Sequence, residues 1–227
     1  MPTRTVEDYI KTIYVEQQRT TGGDLVGLGR LAHAMDVVPG TVTTMVRTLS
    51  DAGLVRYEPR VGVALSPAGE KLALHVLRRH RLVELFLTEV LKFDWAEVHV
   101  EAEELEHAIS DKLLERLDAF LGRPTVDPHG DPIPSADGQI ERREVIPLTQ
   151  CMVGDRVRIA RVDNQDAAFL NYINDAGLRP GTRLTVITTS SVAGAVMVEK
   201  PDGSTQALGT SAACSIWVSL DAPEKNA

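Results

Sequence analysis

The chain has 227 residues, 24 Lys and Arg against 32 Asp and Glu, a formal net charge of −8 and 43% hydrophobic residues, enough for one large or two to three small domains with a substantial core. Two cysteines, Cys151 and Cys214, form no CxxC pair and argue against a disulfide framework, which suits a reducing cytosol. No stretch has the length and apolarity of a membrane span and no charged-then-apolar leader opens the chain, so a soluble, cytoplasmic protein without a membrane partner is expected.

Residues 1–66 are charge-balanced and read as three helices and a hairpin. VEDYIKTIYVEQQ is amphipathic, with Tyr9, Ile10, Ile13 and Tyr14 on one side. LGRLAHAMDV is a second, short helix. PGTVTTMVRTLSDAGL is a third, with Pro39 suited to its first turn and Gly53 to its end. Val42, Met45, Val46 and Leu49 make its apolar stripe, and Thr41, Thr43, Thr44, Arg47 and Thr48 lie off it. LVRYEP and RVGVALSP follow as two strands, with Arg60 at their turn. Helix, helix, helix, hairpin is the winged helix-turn-helix plan. A third helix dense in hydroxyls and carrying an arginine suits a DNA major groove, where it can bond phosphates and base edges. The alternative is a small helical bundle with a polar face.

Residues 67–121 read as almost wholly helical, and the acidity concentrates here: residues 67–144 hold ten basic and seventeen acidic side chains. In VHVEAEELEHAISDKLLERL, a continuous helix would put His99, Glu103, Glu106 and His107 on one face, at i, i+4, i+7 and i+8. Val98, Ala102, Leu105, Ile109 and Leu113 would then pack on a core. Carboxylates one turn apart repel unless a cation lies between them. A solvated acidic face with two incidental histidines is the competing explanation.

The stretch GRPTVDPHGDPIP interrupts the helices, since Pro124, Pro128, Pro132 and Pro134 forbid a continuous one, and His129 reads as a turn residue. From about Val145 the pattern changes to short β-like runs, RVRIARV, RLTVIT, AVMVEK and SIWVSL, punctuated by glycines. That spacing suits a small β-barrel, interrupted by a helix AAFLNYINDAGL that ends at Gly177. Cys151 and Cys214 read as structural, and Trp95 and Trp217 as core.

Together VEDYIKTIY, GTVTTMVRTLSDAGLV, LSPAGEKLA, RRHRLVELFL, HVEAEELEHAISD and DPHGDPIP resemble the diphtheria toxin repressor family of metal-dependent transcriptional regulators. The motifs cover roughly residues 5–134 in register, and the C-terminal region resembles the family's Src-homology-3-like barrel. The resemblance implies a mainly α fold with β: a winged helix-turn-helix over 1–66, a helical metal-binding and dimerisation domain over 67–140, and a barrel of FeoA type over 145–220. It also implies a homodimer on a palindromic double-stranded DNA operator, with two metal sites per subunit. The primary site would be Asp8, Glu103, Glu106 and His107. The ancillary site would be His80, Glu84 and His99, with Asp166 as a barrel contribution and Phe169 where a second barrel ligand would stand.

Iron-responding members of that family typically carry Met at the position of Asp8 and Cys at that of Glu103. Carboxylates at both suit Mn(II), with Fe(II) as the alternative. Lys11 stands where some manganese regulators place a second carboxylate, which disfavours a closely spaced ion pair. Two other classes are weighed: a metal-independent winged-helix regulator, and a metal-dependent hydrolase. The hydrolase would need a nucleophile or base beside the metal, yet no Gly-rich phosphate loop or HExxH motif is present. The protein is therefore expected not to be an enzyme.

Overall fold

A computed structural model describes residues 3–19, 25–141, 143–190 and 192–221, in two compact units. The polar tail after residue 221 lies outside the described residues. The first unit comprises residues up to His80 together with Glu106–Ile109 and Pro134–Ile140; the second comprises Arg81–Leu105, Ser110–Ile133 and the residues from Glu141 onward.

In the first unit, α1 (Arg4–Gln18) starts where the Thr3 hydroxyl accepts the Val6 amide, and it buries Tyr9, Ile10 and Ile13. The short α2 (Leu28–Ala34) leads into α3 (Pro39–Asp51), whose proline begins the helix and whose Val42, Val46 and Leu49 are buried. The chain leaves α3 through Gly53 at φ +72°, a left-handed turn that glycine enters without strain. Strands β1 (Val55–Glu58) and β2 (Gly62–Leu65) pair antiparallel, and Arg60 at φ +68° forms the tip between them. This is the winged helix-turn-helix the sequence predicts. Helix α4 (Pro67–Glu89) begins in this unit, where the Ser66 hydroxyl accepts the Gly69 amide at 3.1 Å.

The second unit holds α5 (Val98–Leu105), α6 (Asp111–Phe120) and a six-stranded antiparallel sheet. The strands are β3 (Ile146–Pro147), β4 (Arg156–Val162), β5 (Arg183–Ser190), β6 (Ala195–Glu199), β7 (Thr205–Gly209) and β8 (Ile216–Leu220), in the order β3-β8-β4-β5-β6-β7. Val157, Ile159, Val186, Val198 and Val218 alternate inward along them and pack with Leu170 and Ile173 of α7 (Ala167–Asp175). Ala213 of the short α8 (Thr210–Cys214) joins that core. The fold is mixed, mainly α in the first half and sheet in the second.

One expectation is corrected. The segment from Val98 onward is two helices: α5 ends at Leu105, and α6 begins after Ser110, whose hydroxyl accepts the Leu113 amide at 3.3 Å. Ser110 followed by Asp111 is a helix-start signal that cuts the continuous face assumed from spacing. Leu105 and Leu113, expected in the core, are 40% and 49% exposed, whereas Val98 and Ala102 are fully buried.

Candidate metal centre and nucleic-acid interface

The turn after α5 returns Glu106 and His107 to the first unit, where they meet α1. Asp8, Glu106 and His107 each offer one ligand atom to a common space. His107 Nε2 lies 2.9 Å from Asp8 Oδ1 and 3.4 Å from Glu106 Oε1. His107 Nδ1 lies 2.7 Å from Glu7 Oε2, while the other Glu7 oxygen accepts from Arg79 Nη2 at 2.6 Å. Nδ1 thus faces Glu7, and Nε2 is the ring nitrogen that faces Asp8 and Glu106. Nε2 is buried and makes no hydrogen bond. A cation there would satisfy it, so the residues fit a divalent ion with hard oxygen and imidazole donors.

Glu106 is 0% exposed and heavily committed. Its Oε1 accepts from Lys11 Nζ at 2.7 Å, and its Oε2 lies 2.5 Å from His80 Nδ1. His80 and Lys11 thus share the Glu106 carboxylate. Lys11 supplies a fixed positive charge to the same carboxylate.

The remaining expected ligands belong to the second unit. His99 Nδ1 lies 3.1 Å from Glu84 Oε1 and its Nε2 lies 3.5 Å from Glu103 Oε1. Asp166 caps α7, accepting the Phe169 amide at 2.9 Å. It is in none of the metal-competent groups found among the described residues.

The structure gathers a further group that the sequence reading did not assemble: Glu84, Asp127 and His129, all buried. His129 Nε2–H donates to the Trp95 carbonyl at 3.1 Å, so Nδ1 is the acceptor nitrogen. Nδ1 has no hydrogen-bond partner and lies 4.0 Å from Glu84 Oε2. Burial lowers the His129 pKa and keeps the ring neutral, so that 4.0 Å approach is no ion pair. Burial, then the charges of Asp131 and Glu84, push Asp127 well above the usual carboxylate range. Asp127 Oδ1 accepts the amides of His129 and Asp131 at 2.8 and 2.9 Å and thereby shapes the turn. Gly130, at φ +88°, completes that turn where an added Cβ would lie 2.0 Å from the Ala160 carbonyl oxygen. The Val162 amide donates to the His129 carbonyl at 2.9 Å, pinning the turn to β4. The sequence signal is the run Asp-Pro-His-Gly-Asp-Pro, in which a buried imidazole and carboxylate flank a turn glycine.

On α3, Thr41, Thr44, Arg47 and Thr48 are exposed and Thr43 is half-buried; Arg60 is exposed on the wing. Cys151 is buried, its thiol pushed up to about 11 by burial and the Asp155 charge, while Cys214 is exposed. Trp95 is in the core, and Trp217 carries the Arg161 guanidinium 4.6 Å above its ring. No helix among the described residues is long and apolar enough to cross a membrane.

A winged helix-turn-helix beside a pocket of carboxylates and imidazoles defines a metal-sensing DNA-binding regulator. Residues 1–63 match the iron dependent repressor N-terminal DNA binding domain, residues 66–135 the iron dependent repressor metal binding and dimerisation domain, and residues 146–220 the FeoA domain. The iron-dependent repressor IdeR of Mycobacterium tuberculosis is 31% identical over 198 residues, covering 82% of this chain and 84% of its own. The diphtheria toxin repressor of Corynebacterium efficiens is 31% identical over 225 residues, covering 88% and 96%. A manganese-dependent transcriptional repressor in complex with manganese superimposes with a TM-score of 0.87 at 40% identity, covering 95% of this chain and 99% of that one. The manganese regulator SloR superimposes at 0.77 with 32% identity, covering 97% and 100%. The chain belongs to the diphtheria toxin repressor family of metal-dependent transcriptional repressors, which bind operator DNA as homodimers and are not enzymes.

Proposed function

We propose that the chain is a manganese-responsive repressor of metal-homeostasis genes. It would bind a palindromic operator as a homodimer when Mn(II) fills the Asp8, Glu106 and His107 pocket. The observation that carries this reading is the buried, hydrogen-bond-free His107 Nε2 facing two carboxylates, 2.9 Å from Asp8 and 3.4 Å from Glu106. Oxygen-rich donors without a thiolate suit manganese. Glu103 is assigned as the fourth ligand by resemblance.

A bound divalent ion supplies the positive charge that lets these acidic groups converge. Asp8 brings α1, which packs against α2 and the wing strand β2. Glu106 and His107 bring the turn that follows α5. Glu7 holds the His107 ring so that Nε2 faces inward, and Arg79 holds Glu7. Holding these groups together would fix α1, and with it the attitude of α3, so that two heads of a dimer would acquire one spacing. DNA binding must in turn raise metal affinity. Lys11 already occupies one oxygen of Glu106, which supports a single ion here. The second site per subunit is assigned to Glu84, Asp127 and His129, with His99 held against Glu84.

Fe(II) is the competing activator, favoured by the likeness to IdeR. Activation of DNA binding by each ion, measured on the wild type and on Asp8→Met/Glu103→Cys, separates the two. Mn(II) should activate the wild type best, and the double variant should lose Mn(II) activation while keeping that by Fe(II) and Co(II). An unchanged order of ions in the variant places selectivity outside these positions.

A further inference from the structure

Lys11 stands one helical turn after Glu7 and Asp8 on α1, and its side chain is only 11% exposed. Lysine is almost never buried without a partner, and here the partner is Glu106, whose Oε1 accepts from Nζ at 2.7 Å. The same oxygen lies 3.4 Å from His107 Nε2. The other oxygen, Oε2, lies 2.5 Å from His80 Nδ1. The Glu106 oxygen that faces the imidazole of the pocket is therefore the one that already carries an ammonium group. A cation coordinated there by Glu106 must share Oε1 with Lys11 or displace it.

The shape of the pocket does not rest on this lysine. Glu7 holds the His107 ring through Nδ1 at 2.7 Å, and Arg79 holds Glu7 at 2.6 Å. His80 holds the far oxygen of Glu106. What Lys11 adds to these contacts is a positive charge beside the seat of the ion. Charges at buried positions are screened little by salt, so a like charge there opposes an entering cation.

Resting on the reading of this pocket as the activating metal site, we propose that Lys11 is a tethered competitor that sets the Mn(II) concentration at which the repressor responds. Its charge compensates Glu106 in the metal-free protein and weakens binding of the ion. The pocket thus fills at a higher Mn(II) concentration than its donors alone would set. A lysine that merely braced the fold would do the reverse, since its loss would loosen the pocket and weaken metal binding.

The substitution Lys11→Met removes the charge and keeps the apolar stem. An ion that offsets at least half of the loss of stability caused by removing Lys11 must, by linkage, bind the variant about tenfold more tightly. Mn(II) binding to the full chain is counted from the electron paramagnetic resonance signal of the free ion, with His107→Ala run alongside to subtract ions held elsewhere. The response is read as the Mn(II) midpoint for binding the chain's own promoter duplex. Lys11→Met should fill the pocket at about tenfold lower Mn(II), and its DNA-binding midpoint should fall in step. Lys11→Gln keeps a donor for Glu106 without the charge and should move the same way, which also covers a methionine variant that does not fold. Lys11→Arg keeps the charge and should stay near the wild-type midpoint. Wild-type or weaker Mn(II) binding by the uncharged variants overturns the inference, as does an arginine variant that shifts with them, and either result leaves the pocket assignment intact. Equal Mn(II) uptake by wild type and His107→Ala overturns the pocket assignment, and the inference with it.

Discussion

Lys11→Met isolates the part played by the buried carboxylate. Glu106 is fully buried and shares its two oxygens between Lys11 Nζ at 2.7 Å and His80 Nδ1 at 2.5 Å. Removing one partner of a buried pair costs about 3–5 kcal/mol, because the other charge stays buried without compensation. His80 remains beside Glu106, so the lower end applies, about 3 kcal/mol. For a chain of this size each kcal/mol moves Tm by about 2–4 °C, which gives a fall of roughly 6–12 °C in chelator. A divalent ion held by Glu106 restores the missing positive charge. In saturating Mn(II) the fall should shrink to less than about half of that range. Differential scanning fluorimetry of both proteins, in chelator and in Mn(II), reads all four values. An identical fall in both conditions would show that Glu106 does not meet the metal, and the pocket assignment would fail.

Three further outcomes follow from the second unit. Because Asp127 is held well above its ordinary pKa of 3.8, a cation entering beside Glu84 and His129 should expel its proton. Metal titration in weak buffer at mildly acid pH, just above the ordinary carboxylate range, should release acid, and His129→Ala should reduce the release; no difference between the two would remove that group from the metal count. Without metal, the sign for stability is opposed in the two residues. The depressed His129 pKa makes the fold lose stability as pH drops below 6.5, while the raised Asp127 pKa makes it lose stability as pH climbs above 3.8 toward the folded value. Finally, a thiol reagent at neutral pH should modify Cys214 alone in the native protein. Cys151 is buried and its thiol stays protonated to about pH 11; two modified cysteines by mass spectrometry would contradict the buried placement.

Much of the fold was legible because its elements are locally self-consistent. Tyr9, Ile10 and Ile13 repeat at helical spacing, Pro39 and Gly53 bracket α3, and RVRIARV coincides with β4. Strand β7, Thr205–Gly209, was missed because it is an edge strand with one pairing partner and a single fully buried side chain, Leu208. The break after Leu105 was missed because the apolar and acidic spacing ran on through it, while the deciding cap, Ser110, is one residue. Asp8, Glu106 and His107 lie together in the structure, whereas a single face joining Glu106 and His107 to Glu103 needs an uninterrupted helix, which ends at Leu105. The group of Glu84, Asp127 and His129 joins residues more than forty positions apart through a glycine-dependent turn, and helical periodicity carries no trace of it.

The central claim is that the metal in the Asp8, Glu106 and His107 pocket licenses DNA binding. Fluorescence anisotropy of the chain's own promoter duplex, titrated with wild type and Asp8→Ala in Mn(II) and in chelator at one fixed salt concentration, tests it most directly. Tight binding is expected only for wild type in Mn(II), with Asp8→Ala folded but unresponsive to the ion. Equal affinity of wild type with and without Mn(II), or an Asp8→Ala variant that responds at the wild-type midpoint, would contradict it.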